Sequence, residues 1–257
     1  MSPVIYAMDC QFATKSGTSV LQEGQSFIIS RMARMTIAVA ADSLSRHVAP
    51  NTFPQEYTLG AGAAAVLLGS SNVVAKVDNT CSYVTDTPDY FRLTGDRYIV
   101  RGVHDEEESI GFEEHIKNAV NTYLGKCDMK PKDFDFVIMP HADKRVSKAV
   151  AEKIGFSSQQ LDVGRVSDKI GDTGSAASLL GLSLVLDQAL PGQRILVSSY
   201  GYGAGADVLG LTATDYLPKF RRRKSYGLST LQQMELKESV SYSDYIRMER
   251  KLIQEYL

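Results

Sequence analysis

A small-residue helix start, an apolar strand and a glycine-rich strand follow one another twice along this chain. The first copy runs Ala13-Thr14-Lys15-Ser16-Gly17-Thr18-Ser19-Val20-Leu21, then Met35-Thr36-Ile37-Ala38-Val39-Ala40, then Leu59-Gly60-Ala61-Gly62-Ala63 and on to Gly69. The second runs Asp172-Thr173-Gly174-Ser175-Ala176-Ala177-Ser178-Leu179-Leu180, then Arg194 to Tyr200, then Gly201-Tyr202-Gly203-Ala204-Gly205-Ala206-Asp207 and on to Gly210. A repeat of this kind constrains architecture more than local propensity does, because each copy must bury its apolar faces against the other. It predicts an α/β chain built from two pseudo-symmetric sheets.

The two copies are unequal. Ahead of the second, Phe134 to Met139 reads as a buried strand ending at Pro140-His141, and Lys144 to Ile154 carries apolar residues on a helical period before Gly155 stops it. Almost no chain lies upstream of Ala13 to hold the equivalent strand and helix. A sheet without its early strands exposes an edge and an apolar face, so the first half is expected to be truncated or completed by another polypeptide. Between the copies, Val73 to Val77 and Tyr98 to Val100 read as strands, and Glu113 to Leu124 as an amphipathic helix through Ile116, Val120 and Leu124. The expected units are 1–72 (the remaining N-terminal half), 73–213 (the C-terminal half) and 214–257 (an extension). The extension holds the basic run Lys219 to Lys224 and a polar helical pattern from Tyr242 to Leu257. The basic run reads as a solvated tail, with a phosphate or partner contact as the alternative.

A chain of 257 residues with a net charge of −2 offers no electrostatic case for nucleic acid or a membrane surface. A small molecule or a specific protein is the expected partner. Cys10, Cys81 and Cys127 are odd in number and lack C-x-x-C spacing, so no disulfide framework and no metal site is expected, and a reducing cytoplasm fits. The most apolar helical stretch, around Ala177 to Leu190, is interrupted by Ser183 and Asp187, so no membrane span is expected.

The loop Gly201-Tyr202-Gly203-Ala204-Gly205 lets backbone amides approach a ligand closely, yet it lacks the Lys-Ser/Thr pair of a Walker loop and lies between two strands. His141 falls at the C-terminal end of a buried strand, where open α/β sheets place ligands. A local hydrogen-bonding role suits it equally. His47, His104 and His115 read as structural or solvated residues on loop or helix surfaces.

Together, Phe12-Ala13-Thr14-Lys15-Ser16-Gly17-Thr18, Thr85-Asp86-Thr87-Pro88-Asp89-Tyr90-Phe91-Arg92, Pro140-His141, Gly171-Asp172-Thr173 and Ser199 to Gly205 resemble the thiolase superfamily. Within it the chain is most similar to the archaeal type of hydroxymethylglutaryl-CoA synthase, over nearly its whole length. The resemblance implies the layered α-β-α-β-α thiolase fold with duplicated halves, here with an incomplete first half. It also implies a homodimer and the condensation of acetyl-CoA with acetoacetyl-CoA for the mevalonate route to isoprenoid precursors, with the acyl-CoAs as substrates and no permanently bound cofactor.

Site residues follow by the same resemblance. The family acylates a cysteine at the start of the central helix, and that position is Thr14, a weak nucleophile without a dedicated base. The family histidine corresponds to His141 if one residue is missing from the loop after it; a gap-free alignment puts Pro140 there instead. Arg145 matches a basic residue that approaches CoA phosphate. Asp172 replaces the oxyanion-site asparagine, and its negative charge would repel the developing oxyanion. Tyr202 replaces the serine of the glycine-rich loop, between Gly201 and Gly203, and its bulk narrows the acyl pocket. The family's general acid/base glutamate comes from a part of the chain absent here. Two alternatives follow: a catalytically impaired or split-subunit homologue that binds acyl-CoA, a thiolase or a complementing N-terminal polypeptide, and a ketoacyl-synthase-like condensing enzyme.

Overall fold

The computed structural model describes residues 4–52, 55–86, 89–101, 110–203, 205–223, 227–236 and 238–251. The first half contains α1 (Ser16–Ile29), β1 (Met35–Ser43), α2 (Gln55–Thr58) and β2 (Ala61–Gly69). After it come β3 (Ala75–Val84), β4 (Tyr90–Phe91), β5 (Val100–Arg101), α3 (Ile110–Cys127), β6 (Phe136–Ile138) and α4 (Lys144–Ile154). The short helices α5 (Ser158–Asp162) and α6 (Ser167–Ile170) lead to α7 (Ala177–Gln188), β7 (Arg194–Tyr200) and β8 (Gly205–Ala213). The chain then forms α8 (Leu217–Arg221), α9 (Thr230–Glu235) and α10 (Tyr242–Met248).

The repeat survives in the hydrogen-bond register. β1 and β2 pair antiparallel with Met35 opposite Gly69, and β7 and β8 pair antiparallel with Arg194 opposite Thr212. Superposing those pairs sets Ala38 on Val197 and Ile37 on Leu196. Ala38 and Val197 both face a shared core with Leu21 of α1 and Leu179, Leu182 and Val185 of α7. The two halves therefore bury their inner faces against each other, with α1 and α7 between the sheets.

The outer faces differ. In the second half, β8, β7 and β6 extend a four-stranded sheet ordered β3-β8-β7-β6, with β6 parallel to β7. Its outer face, through Leu196 and Val208, is sealed by Phe112, Ile116, Val120 and Tyr123 of α3 and by Val150 and Ala151 of α4. In the first half β1 and β2 stand as a two-stranded sheet, and its outward side chains Ile37, Val39 and Leu67 are 56%, 62% and 66% exposed. This is the open apolar face expected from the unequal repeat. Among the described residues the layers are helix, sheet, helix, sheet.

Several boundaries move from their sequence expectation. β3 runs on to Val84 because it pairs along its length with β8, and α3 extends to Ile110 and Cys127. Tyr98 and Ile99 are not strand; the Ile99 amide instead donates to the carbonyl of His47. Two short helices, α5 and α6, interrupt the expected passage from α4 to α7. The helical pattern expected from Tyr242 to Leu257 is seen as α10, which ends at Met248, and 252–257 lie outside the described residues, as does His104. Arg221 of the basic run turns inward: its Nε donates to the Leu186 carbonyl at 3.0 Å and its Nη2 to the Ala189 carbonyl at 2.7 Å. There it neutralises the negative end of α7. Lys224 is outside the described residues.

Two features lock α1 to the second half. Gly17 approaches the Gly174–Ala176 turn so closely that a Cβ would lie 2.1 Å from the Ser175 carbonyl oxygen, which only glycine tolerates. Beside it the fully buried Asp207 of β8 accepts from Lys15 Nζ at 3.0 and 3.1 Å, and from the hydroxyls of Thr18, Ser19 and Ser82 at 2.9, 2.9 and 2.7 Å. A buried carboxylate is tolerable only when so completely partnered. Replacing Asp207 by Asn keeps the shape but leaves the Lys15 ammonium buried without a counter-charge. We expect Asp207→Asn to lose about 3–5 kcal/mol of stability, read as a lower urea midpoint at unchanged slope. The apolar double variant Lys15→Met/Asp207→Leu should lose less than Asp207→Asn; an equal or larger loss would contradict the assignment.

Candidate active site

Thr14 lies two residues before α1, in a turn shaped by Ala13 at φ +47° and by Ser16, whose hydroxyl accepts from the Phe12 amide at 2.7 Å. Its own hydroxyl donates to the backbone carbonyl of Tyr200 at 2.6 Å. A carbonyl accepts a hydrogen bond but cannot carry the proton away, so this contact gives Thr14 no route to an alkoxide. Cys10 offers no replacement, since burial pushes its thiol pKa up, away from the reactive thiolate.

Asp172 reaches the same place from the other half. Its backbone is clamped by the first-half loop: the Asp172 amide donates to Thr58 O at 2.8 Å and the Gly60 amide to Asp172 O at 2.7 Å. Its carboxylate accepts the Gly174 amide at 2.9 Å on Oδ1 and the Tyr202 phenol at 2.8 Å on Oδ2. Tyr202 sits at φ +41° between Gly201 and Gly203, with its ring edge-on to Tyr90 (centroids 4.9 Å apart) and Tyr200 (6.0 Å). Burial, and then the charge and hydrogen bond of Asp172, hold its phenol pKa well above the ordinary value, so it remains a donor. Thr14, Pro140, Asp172, Gly174, Ala177, Ser178, Tyr200 and Tyr202 line a cavity of about 10 Å³, room for one water.

His141 does not line that cavity. Pro140 does, and His141 lines a second one with Pro140, Ser147, Leu161, Gly164, Arg165 and others. Its Nδ1 accepts the Asp143 amide at 3.0 Å and its ring lies edge-on to Phe112, centroids 4.6 Å apart. Burial lowers its pKa below the ordinary 6.5, and the carboxylates of Asp172 and Asp143 oppose the shift without cancelling it. The imidazole is therefore neutral at pH 7. Arg145 lies at the start of α4 with its side chain 87% exposed, forked onto Asp143 by Nε at 3.1 Å and Nη2 at 2.6 Å. That pairing holds the Asp143 carboxyl below the usual carboxylate range, and Asp143 also caps α4 through the Arg145 amide.

Thr14, Asp172 and Tyr202 are thus brought together, Gly201 and Gly203 shape the loop that delivers Tyr202, and His141 and Arg145 stand to one side. Sequence reasoning missed the carbonyl of Tyr200 as the partner of Thr14, for which no side-chain pattern could be a signal. It also missed the Lys15–Asp207 pair behind the site, whose signal was a lone carboxylate in the otherwise apolar run from Ala206 to Leu211. His115, expected on a surface, is 1% exposed. It is held between Thr85 Oγ1 and the Gly111 carbonyl, each at 2.6 Å. His47 is exposed at the end of a 3₁₀ turn. No described residues cluster three His, Cys, Asp or Glu side chains for a metal ion. No described helix is long and apolar enough to cross a membrane.

The duplicated halves, with a central helix start facing a glycine-rich loop, define a thiolase-like fold of the acyl-condensing class. Solved structures agree. HMG-CoA synthase complexed with CoA superposes at a TM-score of 0.80 with 18% identity, over 96% of this chain and 65% of that one. The 3-oxoacyl-[acyl-carrier-protein] synthase III of Aquifex aeolicus VF5 gives 0.71 with 22% identity, over 82% and 68%. Residues 124–211 match the family model "3-Oxoacyl-[acyl-carrier-protein (ACP)] synthase III C terminal". Among curated proteins, the hydroxymethylglutaryl-CoA synthase of Methanopyrus kandleri is 35% identical over 251 residues, 98% of this chain and 70% of that protein. That of Methanocaldococcus jannaschii is 36% identical over 98% and 71%. The chain belongs to the hydroxymethylglutaryl-CoA synthase family, and spans about 70% of the length of these relatives.

The environment of His141 makes a pH prediction. Because its folded pKa lies below 6.5, the unfolded chain binds more protons in the window just under 6.5, and stability must fall there as the pH is lowered. Asp143, depressed from 3.8, contributes its loss only at lower pH. Thermal melts from pH 7.5 down to about 5 should show this decline, and His141→Gln should flatten it. An unchanged slope in the variant would assign the decline to other groups.

Proposed function

We propose that this chain binds CoA and CoA thioesters as a member of the hydroxymethylglutaryl-CoA synthase family, and that Thr14 is not acylated. The family reaction is the condensation of acetyl-CoA with acetoacetyl-CoA to hydroxymethylglutaryl-CoA, on the mevalonate route in the cytoplasm, and without acylation of Thr14 this chain serves it as a CoA-binding or complementing subunit. One observation carries the refusal of acylation: the Thr14 hydroxyl is committed at 2.6 Å to a carbonyl that cannot act as a base. The charge of Asp172 reinforces it, since an anion beside the thioester raises the cost of a tetrahedral oxyanion. Binding is supported by the family membership and by Arg145 at the start of α4, whose guanidinium, paired with Asp143 and exposed, has the chemistry that suits a CoA phosphate. A homodimer, a thiolase and a complementing polypeptide are the protein partners consistent with this reading.

A ketoacyl-synthase-type condensing enzyme is the second reading, favoured by the family-model match over residues 124–211. Calorimetry with CoA and acetyl-CoA, followed by intact-mass measurement, tests the first. The expected result is saturable binding with an unmodified protein mass, and acetylation only after Thr14→Cys is combined with Asp172→Asn. A stable acetyl group on Thr14 would overturn the non-acylating reading. Absence of any CoA binding by folded protein would overturn the reading as a whole, and turnover with malonyl thioesters would favour the second.

A further inference from the structure

We propose that Tyr202 is the specificity-determining residue of the thioester site: latched to Asp172, its side chain fills the space beside Thr14, so that the site accepts CoA and disfavours acyl groups in order of their size, acetoacetyl most. This rests on the CoA-binding reading above and ranks the ligands the chain can hold.

Three observations converge. The cavity beside Thr14 retains about 10 Å³, room for one water, so any acyl group must displace the Tyr202 side chain and a four-carbon one must displace it furthest. The phenol is held by a specific contact, the 2.8 Å hydrogen bond to Asp172 Oδ2, and Asp172 is in turn fixed by the Gly174 amide and by the Thr58 and Gly60 backbone. The backbone at Tyr202 has φ +41°, a conformation costly for a bulky side chain. Such strain persists only where the surroundings over-determine it, and here the hydrogen bond and the edge-on rings of Tyr90 and Tyr200 do so. Glycine on either side, with Gly203 at φ +94°, lets the loop adopt the turn that delivers the side chain. The plug is therefore held actively and is not a by-product of loop shape.

The two residues of this pair reinforce each other. An asparagine at position 172 would also accept from the phenol, but an anionic oxygen makes the hydrogen bond stronger. A serine at position 202 would not span the cavity to reach it.

The test is calorimetric binding of CoA, acetyl-CoA and acetoacetyl-CoA to the wild-type chain, Tyr202→Phe and Tyr202→Gly. Glycine removes the bulk and suits the positive φ, so this variant is expected to fold, which its circular dichroism and melting temperature check. In the wild type, acetoacetyl-CoA should bind about tenfold or more weakly than CoA. Tyr202→Gly should abolish that ratio, while Tyr202→Phe, which loses the latch but keeps the ring, should fall between. Acetoacetyl-CoA binding to the wild type as tightly as CoA, or a ratio unmoved by Tyr202→Gly, would overturn the proposal while leaving the CoA site intact. If no variant binds CoA at all, the CoA-site reading itself falls, and this proposal with it.

Discussion

The carboxylate of Asp207 is the point on which the two halves of this chain are hung. It sits in the middle of β8, a strand otherwise made of apolar and small residues, and every contact it makes leads elsewhere: Lys15, Thr18 and Ser19 at the start of α1, and Ser82 on β3. An isolated charge there would cost several kcal/mol, so α1 cannot drift from the second sheet without exposing that cost. Because Thr14 is the residue before Lys15, the same interaction fixes the candidate site. Gly17, pressed against the Ser175 carbonyl, adds a steric limit to the electrostatic one. The geometry between Thr14 and Asp172 thus descends from a buried ion pair and a missing side chain, neither of which touches the cavity.

The duplicated architecture was legible in the sequence because it is written in the positions of small residues. Ala38 and Ala40 fall where Val197 and Ser199 fall, and close packing of α1 and α7 between two sheets requires such patterns. The exposed outer face of β1 and β2 was legible too, since the second copy shows what covers an equivalent face: α3 lies over Leu196 and Val208. Less legible were elements set by pairing and not by their own residues, as when β3 outgrew its apolar stretch by pairing with β8. His115 was misjudged because helical periodicity tells which face a residue shares, not whether a loop closes over it. Thr85 does so here.

The candidate site was legible in part. Thr14, Asp172 and Tyr202 line one cavity, Thr14 through its hydrogen bond to the Tyr200 carbonyl, Asp172 through its backbone clamp to Thr58 and Gly60, and Tyr202 through its phenol on Asp172. His141 could not be placed from sequence, since whether His141 or Pro140 faces the cavity depends on one residue of loop length, and a single residue after a strand rotates the next side chain to a different side. The structure turns Pro140 toward Thr14 and His141 toward Phe112. A neutral imidazole, hydrogen-bonded by the Asp143 amide on Nδ1, then helps to form the entry to α4 and does not face Thr14.

Physical chemistry makes the three unusual residues of the site mutually consistent. A cysteine at position 14 needs a lowered pKa to react, and a nearby carboxylate such as Asp172 works against that by repelling the thiolate. With threonine there, no anion is required and the conflict disappears. The carboxylate, now free of a catalytic neighbour, needs donors of its own, and Tyr202 together with the Gly174 amide supplies them. The tyrosine in turn requires an acceptor strong enough to hold it at a positive φ, and Asp172 is that acceptor. Reversing any one of the three would weaken another: a thiolate facing a carboxylate, a carboxylate with one donor fewer, or a strained phenol held only by a neutral acceptor. Chemistry at this site and closure of this site are therefore alternative states of the same few residues, and the present set is self-consistent in the closed one.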